Sequence, residues 1–436
     1  MVDMADLEFD PSRYRPRIID SIVEEHLRTF GALEVTGTMW SGKTWTALAH
    51  SNSNVALDFP QSRELAEIDP DLVLEGDAPR LVDEWQEVPQ IWDRVRRKVD
   101  APGASRGMFV LTGSSRPSKS KVAHTGSGRI SRLKMWPMSL LESGDSDGSI
   151  SLGGLFDGEF KGAAVDVSLP DLARLCCRGG WPGAIALEER RASLIASQYL
   201  DTLVSAQDDA APEGERELRR YLASVARNMG NAAVIDAFAR DLGYVSAKGE
   251  PTDSGRERVK AMRDYFLNRY VLVELAGWDA PVKSPQRLRT KPKLCFADPS
   301  LPVALLGLSP ELLLRNMQVF GQLFEEMCLR DVRVYASAVL GTSADVLRYY
   351  RDADGLEVDA VIELPDGRWG AFEVKLGQNK VSAAVDSLCR LKAKVAANPA
   401  ARNPEPSFLA VLVGKADYAY RTPEGVFVVP VTKLGI

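Results

Sequence analysis

Gly37-Thr38-Met39-Trp40-Ser41-Gly42-Lys43-Thr44 matches the spacing G-x-x-x-x-G-K-[ST] at every fixed position. Glycines let such a loop wrap closely, so that backbone N–H groups and a helix N-terminus face a phosphate. Lys43 would reach the β- and γ-phosphates, and Thr44 would ligate Mg²⁺ through its hydroxyl. The expected nucleotide-binding residues are Gly37, Ser41, Gly42, Lys43, Thr44 and Trp45. A metal ligand must then arrive from a neighbouring strand. Leu81-Val82-Asp83-Glu84 supplies an apolar pair followed by two acids. Asp83 would hold Mg²⁺ with Thr44, and Glu84 would orient or deprotonate the attacking water. The plainer alternative is an acidic pair at a strand end. A third strand, Phe109-Val110-Leu111-Thr112-Gly113, ends at Ser114. In a parallel sheet neighbouring strands end side by side at the ligand crevice, so Ser114 could sense the γ-phosphate or hold the water. A simple strand-to-loop turn explains it equally well. Downstream, Gly126-Ser127-Gly128-Arg129-Ile130-Ser131-Arg132 offers Arg129 and Arg132, either of which could stabilise transition-state charge or be an exposed structural arginine. The catalytic candidates are thus Glu84, Lys43, Arg129 and Ser114.

A second constellation lies late in the chain. Glu325 falls in an amphipathic helical run, Asp359 in Glu357-Val358-Asp359, and Glu373 and Lys375 in Ala371-Phe372-Glu373-Val374-Lys375. Residues i and i+2 of a strand share a face, so Glu373 and Lys375 point together. The series resembles the PD-(D/E)xK nuclease core, although Val358 stands where that pattern has proline. The resemblance implies that Asp359 and Glu373 share a Mg²⁺ while Lys375 orients a water and neutralises developing charge, with Glu325 adding a carboxylate. The alternative is a buried ion-pair cluster in a nuclease-like fold without cleavage.

Elements must position these groups. Ile18–Phe30 has helical spacing, Ala32–Val35 reads as a strand, and Thr44–His50 reads as a helix. Val55–Leu57, Leu81–Val82, Met108–Thr112 and Ile130–Met135 read as further strands, an alternation that predicts a parallel sheet. Residues 141–168, rich in Gly, Ser and Asp, read as a loop or linker. Residues 169–310 read as mainly helical, with runs at Leu218–Ala226, Val234–Leu242 and Arg256–Leu275 that suit a winged-helix or helix-turn-helix unit. Beyond a helix at about 315, Val358–Leu364 and Trp369–Val374 read as strands. The expected fold is α/β. A P-loop NTPase parallel sheet occupies 1–145, a linker and winged-helix-like helical middle 146–310, and a restriction-endonuclease-like α/β domain 311–436.

Composition narrows the function classes. The 436 residues are 45% hydrophobic and 26% charged, close to soluble globular averages. The formal net charge of −6 argues against coating of nucleic acid by the whole molecule. It leaves room for a local basic face at Lys283, Arg287, Arg289, Lys291 and Lys293, a stretch with no acid between 281 and 293. That run could contact DNA phosphates, or be a solvated loop or a face docked on the acidic N-terminal part. The five cysteines have no CxxC spacing, and the three histidines, His26, His50 and His124, make a histidine-rich metal site improbable. No run reaches ~18 apolar residues, and the acidic start lacks a secretory pattern, so the expected location is the cytoplasm.

With these residues in hand, the chain resembles a family of bacterial and archaeal ATP-binding proteins. These join an AAA-type ATPase domain to a C-terminal domain of unknown function 4143. The resemblance spans nearly the whole chain and rests on GTMWSGKT, RLVDEWQEVPQIWD, FVLTGSS, SGRI with PMSL, RGGWP at 178–182, and the FE, YYRD, EVD and FEVK series. It implies ATP and Mg²⁺ as cofactors, with Lys43, Thr44, Asp83 and Glu84 matching the phosphate-loop and acidic-strand positions. Gly180-Trp181-Pro182 is similar to a Gly-x-Pro turn that lies near the nucleotide in related signalling-type ATPases. No counterpart of the AAA arginine finger is matched, which leaves ring assembly open. The leading expectation is a slow ATPase switch coupling nucleotide state to the C-terminal domain. An ATP-regulated DNA nuclease, or a non-hydrolysing ATP-holding DNA- or protein-binding module, are the alternatives. The partners expected are ATP and DNA through the middle or C-terminal domain, with no membrane.

Overall fold

The computed structural model describes residues 7–114, 128–205, 211–231, 234–281, 283–342 and 346–436. His124, and Gly126 and Ser127 of the arginine loop, lie outside the described residues. The chain forms two compact units. One holds the chain up to Pro137, with short returns at 268–270 and from 341; the other holds the remainder.

In the first unit β1 (Ala32–Gly37), β2 (Ser53–Ala56), β3 (Arg80–Asp83), β4 (Phe109–Gly113) and β5 (Ile130–Met135) form one sheet in the order β2-β3-β4-β1-β5. Every pairing is parallel. The inner strands β1, β3 and β4 are buried along their whole length because both faces are covered, while β5, at the edge of the sheet, exposes Arg132. Leu33, Val35, Leu81, Val110 and Leu133 pack with Ile22 and Val23 of helix α1 (Asp20–Thr29) and Ala47 and Leu48 of α2 (Lys43–Ala49). Ala32, Val82, Phe109 and Leu111 face the other way, onto Ala66 of α3 (Pro60–Ile68) and Ile91, Trp92 and Val95 of α4 (Gln90–Val99). The register pairs Thr36 with Gly113 and Val82 with Leu111, so the carboxyl ends of β1, β3 and β4 come out together.

The second unit contains β6 (Ile150–Ser151), β7 (Leu272–Trp278), β8 (Lys293–Phe296), β9 (Leu347–Arg351), β10 (Glu357–Glu363), β11 (Trp369–Gly377), β12 (Phe408–Lys415), β13 (Tyr420–Arg421), β14 (Phe427–Pro430) and β15 (Leu434–Gly435). Eight of them make a mixed sheet in the order β13-β14-β12-β11-β10-β9-β7-β8. Helix Val381–Ala396 buries Val385, Leu388 and Leu391 against it, and the long helix Met317–Leu340 also packs on β11.

Two expectations change here. The helical run drawn over Arg256–Leu275 stops at Asn268, and Leu272–Leu275 belongs to β7. Tyr270 takes φ +60°, a conformation no helix continues through, and Val271 and Val273 favour a strand beyond it. β7 and β8 thereby carry part of the helical middle into the C-terminal sheet. The stretch 141–168 is also not plain linker. Helix Leu140–Ser143 is closed by a capping box between Ser139 and Glu142, and helix Leu152–Phe156 is capped by Ser151. β6 pairs in parallel with β15, which ties the stretch to the end of the chain.

Candidate functional site

The phosphate loop joins β1 to α2. Gly37 has φ +142°, and an added Cβ would lie 2.1 Å from the Met135 carbonyl oxygen, so no other residue fits there. Gly42 at φ +97° forms the αL N-cap of α2. Inside the loop the Lys43 ammonium, almost wholly buried, donates to Thr38 O at 2.8 Å, and Ser41 Oγ donates to the same carbonyl at 2.9 Å. The Thr38 hydroxyl is buried with no hydrogen-bond partner among the described residues. Burial pushes the Lys43 pKa down, and Glu84 and Asp83 only partly hold it up. This is a cation that gains from any anion brought to it.

Around that loop the ends of β3 and β4 gather oxygens. Thr44 Oγ1 donates to the two Asp83 carboxylate oxygens at 3.0 and 3.2 Å, and Thr112 Oγ1 donates to Oδ1. Asp83 is pushed up to about 6, mainly by burial and further by Glu84, while hydrogen bonds from Thr112 and Thr44 restrain the rise. A threonine hydroxyl and a carboxylate in contact form a hard-oxygen donor pair that suits Mg²⁺. Glu84 follows at φ +51°, a left-handed conformation uncommon for glutamate. Its backbone N–H donates to Thr112 Oγ1 at 3.2 Å. Its Oε2 accepts from Ser114 Oγ at 3.1 Å and from Gln86 Nε2. The carboxylate is therefore held from two sides while its backbone is turned sharply off the strand.

Lys43, Thr44, Asp83, Glu84 and Ser114 thus share the carboxyl ends of three strands. Trp45 lies on α2, with Phe9 packed against its ring at 5.8 Å and the Arg13 guanidinium over it at 5.6 Å. Arg129 is elsewhere. Its carbonyl accepts from Ala32 N at 3.2 Å, at the amino end of β1. The six residues of β5 run between it and the level of Gly37, about 20 Å at ~3.3 Å per residue. Arg129 also pairs with Asp100 at 2.5 Å. A role at this phosphate loop within the same chain is therefore corrected to an ion pair at the opposite, amino end of these strands. Arg132 pairs with Glu34 in the middle of β1 and covers the Trp92 ring.

Two contributors escaped sequence reasoning. Thr112 was visible as the one polar residue inside an apolar strand, FVLTG. Arg17 gave no signal. Its buried guanidinium donates to Ser41 O at 2.7 Å and Trp136 O at 2.8 Å, fastening the phosphate loop to the residue after β5.

The late acids also meet, inside the second unit. Asp359 on β10 accepts from Val374 N at 2.8 Å and pairs with Lys375 Nζ at 3.4 Å; Lys375 reaches Glu373 at 2.5 Å. Glu325, from the long helix, pairs with Lys293 Nζ at 3.5 Å, and Lys293 reaches Glu357 at 2.5 Å. Burial, with the Asp359 charge beside it, pushes Glu373 up to about 8 and Glu325 up to about 7. Burial works against the charge on Lys375, but Asp359 and Glu373 outweigh it and its pKa rises. Among the described residues no three Asp, Glu, His or Cys side chains group so as to hold a metal ion. The nuclease-like residues are brought together, but as carboxylates already holding ammonium groups.

The basic run is divided by the same structure. Lys293 is buried, and Arg287 pairs with Glu363 at 2.8 Å and covers the Trp278 ring. Lys283, Arg289 and Lys291 are exposed. The RGGWP run has packing reasons of its own. Gly180 N donates to buried Asp298 at 2.8 Å, Trp181 Nε1 donates to Ser300 at 2.8 Å, and a Cβ on Gly180 would lie 2.1 Å from the Met138 carbonyl oxygen. Asp298 in turn holds the buried Arg330 at 2.9 Å.

Residues 30–143 match the AAA domain family, residues 169–312 match a domain of unknown function (DUF8612), and residues 320–434 match another (DUF4143). None of the curated proteins matches the chain. Among solved structures the chain is similar to the Walker-type ATPase PABY2304 of Pyrococcus abyssi, at 13% identity and a TM-score of 0.40. That alignment covers 69% of this chain and 96% of that one. No helix among the described residues is long and apolar enough to cross a membrane. The chain is an AAA-type ATP-binding protein with a C-terminal DUF4143 domain.

Proposed function

We propose that this ATP-binding protein hydrolyses ATP slowly and uses the nucleotide state as a switch read by its C-terminal domain. The observation that carries the proposal is the doubly held Glu84 beside the Thr44–Asp83–Thr112 oxygens. Thr44 and Asp83 would hold Mg²⁺, which when bound supplies charge neutralisation for the β- and γ-phosphates. The backbone N–H groups of the loop and the N-terminus of α2 orient the phosphates, and Lys43 adds a charge-assisted donor. Glu84 accepts the proton of the attacking water, and Ser114 aims its carboxylate. Slowness follows from the arginine arrangement. With Arg129 at the amino end of β5 and Arg132 in mid-strand on Glu34, neither of the two candidate arginines stands with Lys43. Arginine fingers supply about 10³–10⁵ in kcat where they act.

The test is ATP turnover by the full chain with Mg²⁺, beside Lys43→Ala and Glu84→Gln, with and without added DNA. Turnover that needs both residues supports the reading. Binding of ATP without any turnover in the wild type leaves a nucleotide-holding module instead. DNA-stimulated turnover would assign the exposed Lys283, Arg289 and Lys291 a phosphate-contacting role.

A further inference from the structure

The nuclease pattern implies a divalent cation among Glu325, Asp359 and Glu373, and the residues present do not fit one. Each of these carboxylates, and Glu357 with them, already has an ammonium within 3.5 Å. Asp359 spends Oδ2 on both Lys375 and the Val374 N–H. No group of three acids able to hold a metal is present among the described residues. The ammonium the pattern does not call for is that of Lys293. It comes from β8, a strand outside the motif, and reaches the cluster because β8 and β7 join the same sheet as β10 and β11. Its side chain is 4% exposed, and its Nζ also lies 5.2 Å from the Tyr349 ring centre. A divalent ion placed among these acids would face that fixed positive charge at short range.

We propose that Lys293 is the resident cation of this acidic cluster. Its ammonium neutralises the acids as a divalent metal does in nuclease cores of this pattern, so that the cluster takes no divalent cation while Lys293 is present. The DUF4143 domain, with Lys293 supplied from the segment before it, is then an ion-paired scaffold holding a latent metal site rather than a metallonuclease. The inference concerns the C-terminal cluster alone. Its test is run without nucleotide, so its failure is distinct from failure of the ATPase reading.

The probe is Mn²⁺, titrated into the nucleotide-free full chain and followed by electron paramagnetic resonance of the free ion. Lys293→Gln keeps the side chain's polarity and bulk while removing its charge. It should gain one Mn²⁺ site over the wild type, at least tenfold tighter than any wild-type binding. The gain should disappear in Lys293→Gln combined with Glu373→Gln. The melting temperature of Lys293→Gln should rise on adding Mn²⁺ while that of the wild type stays fixed. Should Lys293→Gln fail to fold with or without Mn²⁺, the double substitution Lys293→Met with Glu357→Gln removes one charge of each sign, and the same gain is expected of it. Wild-type Mn²⁺ binding that Asp359→Asn or Glu373→Gln abolishes would overturn the proposal. So would a folded Lys293→Gln, or in its place a folded double variant, that gains no site.

Discussion

Glu84→Gln separates the chemistry of the acidic strand from its architecture. Ser114 Oγ and Gln86 Nε2 both donate to Glu84 Oε2, and a glutamine can present its own carbonyl oxygen to the same two donors. The backbone at φ +51° is as accessible to glutamine as to glutamate. Side-chain position, strand end and phosphate loop should therefore survive, and only the ability to accept a proton is lost. General-base catalysis contributes about 10²–10⁴-fold, equivalent to roughly 3–5 kcal/mol of barrier. The expected result is kcat reduced at least about 100-fold with ATP affinity within about twofold of the wild type and an unchanged melting temperature. Steady-state phosphate release, a fluorescent-nucleotide titration and a thermal melt measure the three quantities. A fall in kcat of less than about threefold would refute the base assignment. A fall in melting temperature with intact turnover would make Glu84 a structural residue. Glu84→Gly completes the set. It removes the left-handed strain of about 1–2 kcal/mol but adds about 0.5–1 kcal/mol of chain entropy and gives up the hydrogen bonds from Ser114 and Gln86, about 0.5–1.5 kcal/mol each, so it should be inactive and no more stable than the wild type.

Lys43→Ala should weaken ATP binding about 10- to 150-fold, the range of a lost charge-assisted hydrogen bond of about 1.5–3 kcal/mol, and calorimetric titration with ATP checks it. Asp83 is raised to about 6, and a protonated carboxyl cannot hold a cation, so Mg²⁺-dependent turnover should fall as pH drops through about 6 and level off above it. A kcat/KM profile flat down to pH 5 would contradict this. Glu373 and Glu325 bind protons more tightly folded than unfolded, so their contribution to stability is fully present below about 4.5 and is lost as pH rises through about 7 to 8. Denaturant melts of the second unit should show it losing stability over that window.

The parallel sheet of the first unit was legible because short, largely apolar runs at 32–35, 55–57, 81–82, 108–112 and 130–135 alternate with helical stretches, and all five fall on strands of one sheet. The phosphate loop was legible for a sharper reason, since Gly37 and Gly42 stand where a Cβ or a negative φ would break the geometry. What stayed hidden depends on long-range pairing. Arg129 and Lys293 looked alike in sequence, each a basic residue in a polar stretch beside a strand. The register of β5 on β1 sends the first to the end of the strands away from the phosphate loop, and the place of β8 beside β7 sends the second into an acidic interior. A charge pattern one strand long cannot distinguish these outcomes, because the acid that decides each lies 29 residues away for Arg129 and 32 and 64 residues away for Lys293.

Lys375→Met takes the argument about the C-terminal cluster one step further. The substitution leaves Asp359 and Glu373 without the ammonium that lies 3.4 and 2.5 Å from them, while both carboxylates stay in a buried strand pair. Breaking one side of a buried pair costs about 3–5 kcal/mol, and the quarter of the Lys375 side chain that remains exposed places the expectation near the lower figure. Part of that loss is recoverable, since Glu373 is already inclined to take up a proton and would do so more readily without Lys375. The destabilisation should therefore be largest above about pH 8 and shrink as pH falls, measured by urea melts of wild type and variant at pH 6 and pH 9. A catalytic lysine in a strained site would behave oppositely, since its removal leaves stability unchanged or improved. A variant as stable as the wild type at pH 9 would therefore reject the ion-paired scaffold and restore the cleavage reading for Asp359, Glu373 and Lys375.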